Sequence, residues 1–275
     1  MRDVNLSDNA FGPAGIKSFD FLLRELKSLK TLKVTNCGLG PEGGEMIANA
    51  LAENKDLKLV QFSAGRDRLE NKGITALAGV FKEMGSLEIL EVPQNGIKKD
   101  GMIALLEALK ANSQTLREVY LHDNWIKQEA IDRLVEFILR AQSLERLNIS
   151  DSTMGTNGAL LLAKALSENQ QLKSTLKQFS CNYNEIESSA VSKRILEILL
   201  SDSFEKLELI EFKGNTLGKK AAQEYISKFE EKGRKLVIFE EEEDEDDEDE
   251  EEEDEDEEKG ADDEDLLKKL EKLKL

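Results

Sequence analysis

Seven polar residues recur along the chain at similar intervals, and they are the residues best placed to carry chemistry. They are Asp8, Asn36, Arg66, Gln94, Asp123, Asp151 and Tyr183. The next position of the series is Gly214. Carboxylate, amide, guanidinium and phenol groups form hydrogen bonds and ion pairs with other proteins. We call this series of eight positions the rim column. We interpret it as a candidate partner-binding strip; a merely solvated rim remains the alternative.

Other kinds of site find no support in the residue types. One histidine, His122, and two isolated cysteines, Cys37 and Cys181, do not provide a zinc site of any usual spacing. The sequence has no phosphate-binding glycine loop and no G-x-S-x-G motif. We therefore expect no metal, no cofactor and no hydrolytic active site. The two cysteines are expected to be small core residues rather than a disulfide, as is typical of an intracellular protein.

The rim column belongs to a repeat. The pattern L-x-x-L-x-L-x-x-N-x-L returns every 28 to 32 residues and is clearest at 116–126 and 207–217. Its asparagine column directly follows the rim column, at positions 9, 37, 67, 95, 124, 152, 184 and 215. A small side chain there can bond backbone groups that the turn leaves unpaired.

Each repeat is predicted to contain a strand of four to six residues followed by a helix. Alternating apolar residues indicate the strand, and apolar residues at i, i+3, i+4 and i+7 indicate helices at 43–53, 73–82, 101–111 and 158–168. Only stacked repeats bury such faces. The sequence therefore predicts an α/β leucine-rich-repeat solenoid, a horseshoe with parallel strands on the concave face, helices on the convex face and about eight repeats. The repeat length is typical of the ribonuclease-inhibitor type.

Charge divides the chain into segments. The sequence carries 57 acidic and 38 basic residues, and every residue from 240 to 258 is acidic. We predict a repeat domain at 1–238, an acidic disordered tail at 239–260 and a short amphipathic helix at 261–275. We expect no signal peptide, and the sequence contains no apolar run long enough to span a membrane. The first residues begin inside a strand without a cap, so we expect either further repeats upstream or a partner at that end.

Several loops resemble those of one known family. They read SDNAFGP at 7–13, NCGLGP at 36–41, GRDRLEN at 65–71, PQNGI at 93–97, YNEI at 183–186 and GNTLG at 214–218. In this order, and with the acidic run after the last repeat, they resemble the Ran GTPase-activating proteins over residues 4–258. Family members carry further repeats before the first of these loops, including a Gly-Arg loop that contributes to Ran binding. The resemblance leaves open a truncated or diverged member that is inactive as an activator.

The resemblance implies a GTPase activator that acts in trans on Ran in its GTP form and supports nucleocytoplasmic transport. It implies that Asn36 orients Ran's own catalytic glutamine, without an arginine finger. Arg66 and Arg68 are expected to bind Ran or to support their loop through Asp67 and Glu70. The expected contacts of the partner-binding strip are Asp8, Arg66, Arg68, Gln94, Asp123 and Asp151. Asp123 and Asp151 would face basic residues of Ran or remain solvated.

The same reading predicts a cytoplasmic protein, with a perinuclear position as a second expectation, and no nucleic-acid partner. A Ran-binding protein or an importin is an expected partner of the acidic tail. Two alternatives stay open. One is a non-catalytic leucine-rich-repeat scaffold or inhibitor, and the other is an acidic histone-binding chaperone. Such chaperones have repeats of about 23 residues, and the step of 28 to 32 here disfavours them.

Overall fold

The computed structural model describes residues 1–127 and 129–239, and within them strands alternate with helices. The strands are β1 (Asp3–Asn5), β2 (Thr31–Lys33), β3 (Gln61–Ser63), β4 (Ile89–Glu91), β5 (Glu118–Tyr120), β6 (Arg146–Asn148), β7 (Gln178–Ser180), β8 (Leu209–Glu211) and β9 (Lys235–Val237). The helices are α1 (Gly12–Glu25), α2 (Gly40–Glu53), α3 (Glu70–Met84), α4 (Lys99–Ala111), α5 (Glu129–Arg140), α6 (Gly155–Glu168), α7 (Gln170–Thr175), α8 (Ser189–Leu200) and α9 (Lys219–Glu231).

The strands form one parallel sheet in chain order, from β1 to β9. Each strand pairs with the next through a shift of one repeat, so Val4 lies opposite Leu32 and Leu32 lies opposite Phe62. Because the shift is one repeat throughout, equivalent motif positions stack in columns along the sheet. The predicted α/β leucine-rich-repeat solenoid is confirmed.

The core lies between the sheet and the layer of helices. The middle residue of each strand from β2 to β9 is buried, as Leu32 and Phe62 show, and neighbouring helices pack against one another. Leu106, Ala108 and Leu109 of α4 are buried, as the helical spacing predicts, and Ile103 is partly buried beside them. Cys37 and Cys181 are buried free thiols, as expected.

Element boundaries differ from the predictions. Each strand has three residues rather than four to six, because the chain turns into the left-handed region at the third residue after each strand up to β8. Helices α2, α3, α4 and α6 begin two or three residues before the predicted starts. In α2 the reason is visible: Pro41 lies in the first turn, where a missing N–H costs nothing.

The last strand extends the count of repeats. β9 lies beyond the eight copies that the asparagine column predicts, and it is held by the buried Arg234. The Arg234 guanidinium donates to the carbonyl oxygens of Leu199 at 2.8 Å and Phe204 at 2.8 Å. Burial lowers the pKa of this group. The repeat domain thus ends in a strand fixed by a buried cation. The predicted tail from residue 240 onward and the predicted helix at 261–275 lie outside the described residues.

Candidate functional site

The rim column is built by the main chain. All eight residues have positive φ, from 49° at Tyr183 to 62° at Asp8 and Gly214. The N–H of each donates to a carbonyl of the next repeat in the first seven cases; Asn36, for example, donates to Gly65 at 2.8 Å and Arg66 to Pro93 at 3.0 Å. Successive rim side chains are therefore held about one strand spacing apart, ~4.8 Å.

This geometry shows that the repeat constrains the backbone of the rim column. The repeat requires a left-handed backbone there, which favours glycine, asparagine and aspartate. Gly214 shows that glycine suffices for the turn. Arginine, glutamine and tyrosine at the same position cost roughly 1 kcal/mol each. Their side chains are therefore not explained by the turn itself.

The asparagine column beneath the rim anchors these turns. Asn95 Oδ1 accepts from the N–H groups of Asp67 and Leu69, both at 3.2 Å, and Asn95 Nδ2 donates to the carbonyl of Ala64 at 2.6 Å. Asn124 does the same for the turn of Asn95. The predicted role of the column is confirmed for these two asparagines. Since these amides are buried, they hold each turn without access to solvent.

Asn36 lies exposed on the rim and is oriented by the preceding repeat. Its Nδ2 donates to Asp8 Oδ1 at 2.9 Å. Its Oδ1 accepts no hydrogen bond from the described part of the chain. The side chain thus presents a fixed carbonyl oxygen outward, together with the second proton of Nδ2.

Arg66 and Gln94 form the next pair along the rim. Arg66 Nε donates to Gln94 Oε1 at 2.7 Å. With Arg68 and Glu70 they line a depression of about 480 Å³. The alternative that the two arginines support their loop through Asp67 is wrong, since Asp67 is buried and accepts from backbone N–H groups of the preceding turn. Both guanidinium groups instead lie exposed beside the depression.

Asp123 and Asp151 occupy the middle of the rim beside His122. Partial burial and the charge of Asp123 raise the pKa of Asp151. Burial lowers the pKa of His122, so the imidazole is neutral near pH 7. This part of the rim is acidic, whereas the Arg66 and Arg68 part is basic.

The predicted site residues therefore form a strip rather than a pocket. The structure pairs Asp8 with Asn36 and Arg66 with Gln94, and it brings Asp123 near Asp151. The sequence reading missed Trp125, whose side chain is 51% exposed and lies 5.1 Å beneath the Lys98 ammonium. Its position one residue after the asparagine column is the only sequence signal for this exposure. In the described residues no group of three or more potential ligands is arranged for a metal ion, and no helix is long and apolar enough to cross a membrane.

Comparisons with known proteins agree with the repeat architecture. A family model described as leucine-rich repeat matches residues 25–48 and 140–163. The Ran GTPase-activating protein 1 of Xenopus laevis is 46% identical over 107 residues, which are 35% of this chain and 18% of that protein. The Ran GTPase-activating protein 1 of Saccharomyces cerevisiae is 31% identical over 226 residues, 79% of this chain and 55% of that protein.

A second kind of relative shares the repeat. The ribonuclease inhibitor of Sus scrofa is 23% identical over 271 residues, which are 86% of this chain and 57% of that protein. The chain thus spans little more than half the length of the yeast and pig proteins, and less of the Xenopus protein.

Proposed function

The chain is a leucine-rich-repeat protein related in sequence to the Ran GTPase-activating proteins, and from this relationship we propose that it stimulates GTP hydrolysis by the small GTPase Ran. The observation that supports this proposal is the fixed, outward-facing amide of Asn36 at the start of a polar rim. Stimulation would take place on Ran, and this chain would contribute no hydrolytic site of its own.

Positioning explains how an amide accelerates this reaction. GTP hydrolysis depends mainly on the alignment of the attacking water and on electrostatic stabilisation of the γ-phosphate. Asn36 Oδ1 would accept a hydrogen bond from the side-chain amide of Ran's catalytic glutamine and thereby hold it against the water. Because Asp8 already orients the Asn36 side chain, little of its conformational freedom remains to be lost on binding.

The charged rim residues would fix the orientation of Ran. Arg66 is bonded to Gln94, and we assign both arginines a role in binding rather than that of an arginine finger. Asp8, Gln94, Asp123 and Asp151 complete the proposed contact strip. A strip that is basic near Arg66 and acidic near Asp123 would favour one orientation of a partner with the opposite pattern.

Location and further partners follow as part of the same proposal. A cytoplasmic activator would act on Ran–GTP as it leaves the nucleus, with a perinuclear position as the second expectation. The run of 19 acidic residues at 240–258 would attract basic surfaces, and a Ran-binding protein or an importin is the proposed class of partner.

One alternative is favoured by a specific observation. The alignment with the pig ribonuclease inhibitor covers 86% of this chain, so the same solenoid could serve as an inhibitor that only binds a protein. An inhibitor would bind its partner without any change in GTP turnover.

Single-turnover GTP hydrolysis by Ran separates these possibilities. The parent chain is expected to accelerate hydrolysis, and Asn36→Gly is expected to remove about 10²-fold or more of that rate, the usual effect of losing one positioning group. Glycine is the informative replacement because φ at residue 36 is 57°, so the turn is kept. Lys82→Ala, at an exposed position of α3 outside the proposed contact strip, serves as the control and should retain most of the rate. Equal rates for Asn36→Gly and the parent would contradict the mechanism.

A further inference from the structure

Most members of the asparagine column share one hydrogen bond to the preceding repeat, and Asp67 and Ser152 do not make it. In five repeats a side-chain donor of the column reaches the carbonyl two residues after the middle of the preceding strand. These bonds are Cys37 Sγ to Leu6 at 3.1 Å, Asn95 Nδ2 to Ala64 at 2.6 Å, Asn124 Nδ2 to Val92 at 3.0 Å, Asn184 Nδ2 to Ile149 at 2.9 Å and Asn215 Nδ2 to Cys181 at 2.8 Å. Ser152 Oγ instead donates to the Ser150 carbonyl of its own turn at 3.1 Å. Asp67 is the other exception, and by register its target would be the carbonyl of Val34.

Asp67 makes only half of the usual contacts. Its Oδ1 accepts from the N–H of Cys37 at 2.8 Å and of Leu39 at 3.4 Å, as an asparagine oxygen would. Its Oδ2 is buried and has no hydrogen-bond partner among the described residues. By register, this oxygen takes the place of the amide nitrogen that donates in the other repeats, and the carbonyl that corresponds is that of Val34. Two unprotonated oxygens facing each other in a buried site repel, whereas a protonated Oδ2 would donate.

Among the residues that the structure describes, no buried cation pairs with the Asp67 carboxylate. The preceding repeat contributes Cys37, and the Asp8 carboxylate lies beyond it. The facing segment 92–97 of the following repeat contains no titratable residue. The charged residues of the loop itself, Arg66, Arg68 and Glu70, are exposed.

Burial favours the neutral carboxyl. It raises the pKa of Asp67 to about 6, although the N–H donors of Cys37 and Leu39 oppose the rise. The pKa of the Cys37 thiol is raised as well, chiefly by burial, so that this group stays neutral near pH 7. Asp67 is therefore the group of this turn that titrates close to neutral pH.

We propose that Asp67 is a pH-dependent positioning residue for the turn that carries Asn36. When protonated, it completes the column by donating from Oδ2 to Val34, and the turn at 36–40 is held on both sides. When ionised, it keeps the bonds to Cys37 and Leu39 but repels the Val34 carbonyl, and the turn loosens. The consequence for catalysis rests on the proposed function; the consequence for the turn does not.

The sign follows from linkage. The folded protein holds this proton more tightly than the unfolded chain, whose carboxyl titrates near 3.9. The stabilisation is therefore complete below pH ~4 and is lost as the pH rises through about 6. Asp67→Asn introduces an amide donor that does not titrate, so this variant should not lose stability as the pH rises through about 6.

Thermal unfolding measured between pH 5.5 and 8.0 tests whether protonation of Asp67 stabilises the fold. This range lies above the isoelectric point near 4.7, where the protein would be least soluble. Asp67→Asn is expected to melt above the parent by a margin that grows with pH, to roughly 2–6 °C at pH 8.0. Asn95→Asp, the reciprocal change in the next repeat, should acquire the pH dependence that Asp67→Asn loses. Asp123→Asn on the exposed rim should follow the parent. A margin that is constant with pH, or an Asp67→Asn variant that melts below the parent, would overturn the proposal.

Two readouts test positioning. The amides of Cys37 and Leu39, corrected for intrinsic exchange, should exchange at least about threefold more slowly in Asp67→Asn than in the parent at pH 8.0, and equally at pH 5.5. The rate of GTP hydrolysis by Ran with Asp67→Asn, divided by the rate with the parent, should rise from about one at pH 5.5 to about two at pH 8.0. The positioning role is overturned if amide exchange is the same in Asp67→Asn and the parent. It is also overturned if both proteins stimulate Ran and the ratio of their rates stays at one. If neither the parent nor Asp67→Asn stimulates Ran but the difference in amide exchange is present, the proposed function is contradicted. The role of Asp67 in holding the turn is then still supported.

Discussion

Asp8 Oδ1 accepts a 2.9 Å hydrogen bond from Asn36 Nδ2, so the first rim residue orients the side chain of the second. Both residues have a left-handed backbone, and both turns are held by main-chain bonds to the next repeat. The pair is therefore a small preorganised unit, in which one side chain would act and the other would fix its direction.

Removing the orienting member should weaken the action of Asn36 without abolishing it. We expect Asp8→Gly to lower the stimulated rate of GTP hydrolysis by Ran about three- to tenfold. Glycine suits the φ of 62° at this position. Asp8→Asn keeps an acceptor oxygen and should retain most of the rate. Single-turnover hydrolysis at saturating concentrations of the chain measures the effect, and equal rates for Asp8→Gly and the parent would refute the orienting role.

Arg66→Gly should separate stability from binding. Glycine relieves the left-handed strain at residue 66, where φ is 57°, and is expected to leave the free energy of unfolding equal or higher by up to ~1 kcal/mol. The loss of the guanidinium should weaken binding to Ran–GTP, more at low salt than at high salt. Denaturant unfolding and binding titrations at two salt concentrations measure both. Lys219→Ala at the exposed start of α9 is a distant control that should leave both quantities unchanged.

Asn124→Ala should destabilise the middle of the solenoid. The change removes the acceptor for the N–H groups of Asn95 and Ile97 and the donor to the Val92 carbonyl. Because these groups are buried, we expect a loss of about 2–4 kcal/mol in the free energy of unfolding. Asp123→Ala, one residue earlier but exposed, is the matched control. A loss no larger than that of the control would show that the column contributes little to stability.

Arg234→Met should loosen the last strand. The substitution keeps the aliphatic stem but leaves the carbonyls of Leu199 and Phe204 without their donor. We expect β9 to become accessible to limited proteolysis while repeats near β4 stay protected. Mass spectrometry of the fragments locates the cleavage. Equal digestion of the variant and the parent would contradict a capping role for this arginine.

Deletion of residues 240–258 should leave the repeat domain folded. The run carries 19 of the 57 acidic residues, and the rest of the chain is balanced with 38 of each sign. We therefore expect an unchanged melting temperature and a change mainly in the salt dependence of association. A large drop in melting temperature would show that the run contributes to the stability of the repeats.

The repeat made most of the architecture predictable, because each apolar column requires the next repeat to cover it. Strand length was overestimated, since the alternation of apolar residues continues into the turn after each strand. β9 and its buried Arg234 were missed because that strand lacks the asparagine that marks the others.

The candidate site was predictable in position but not in geometry. Spacing placed Asn36 and Asp8 in one column, yet their hydrogen bond depends on side-chain conformations that spacing does not specify. The sequence reading assigned Asp67 to the asparagine column and also offered it as support for Arg66. Only the structure shows that its second oxygen is buried without a partner. The sequence pattern identifies the asparagine column, but the effect of an exception such as Asp67 on stability depends on how deeply its side chain is buried.

The main-chain bonds that link one rim turn to the next have a consequence for how such a protein changes over time. Since these bonds involve no side chain, a replacement at one rim position leaves the spacing of the others intact. Recognition can therefore diverge one contact at a time, while the underlying column tolerates few substitutions. Related solenoids with different targets are the expected outcome.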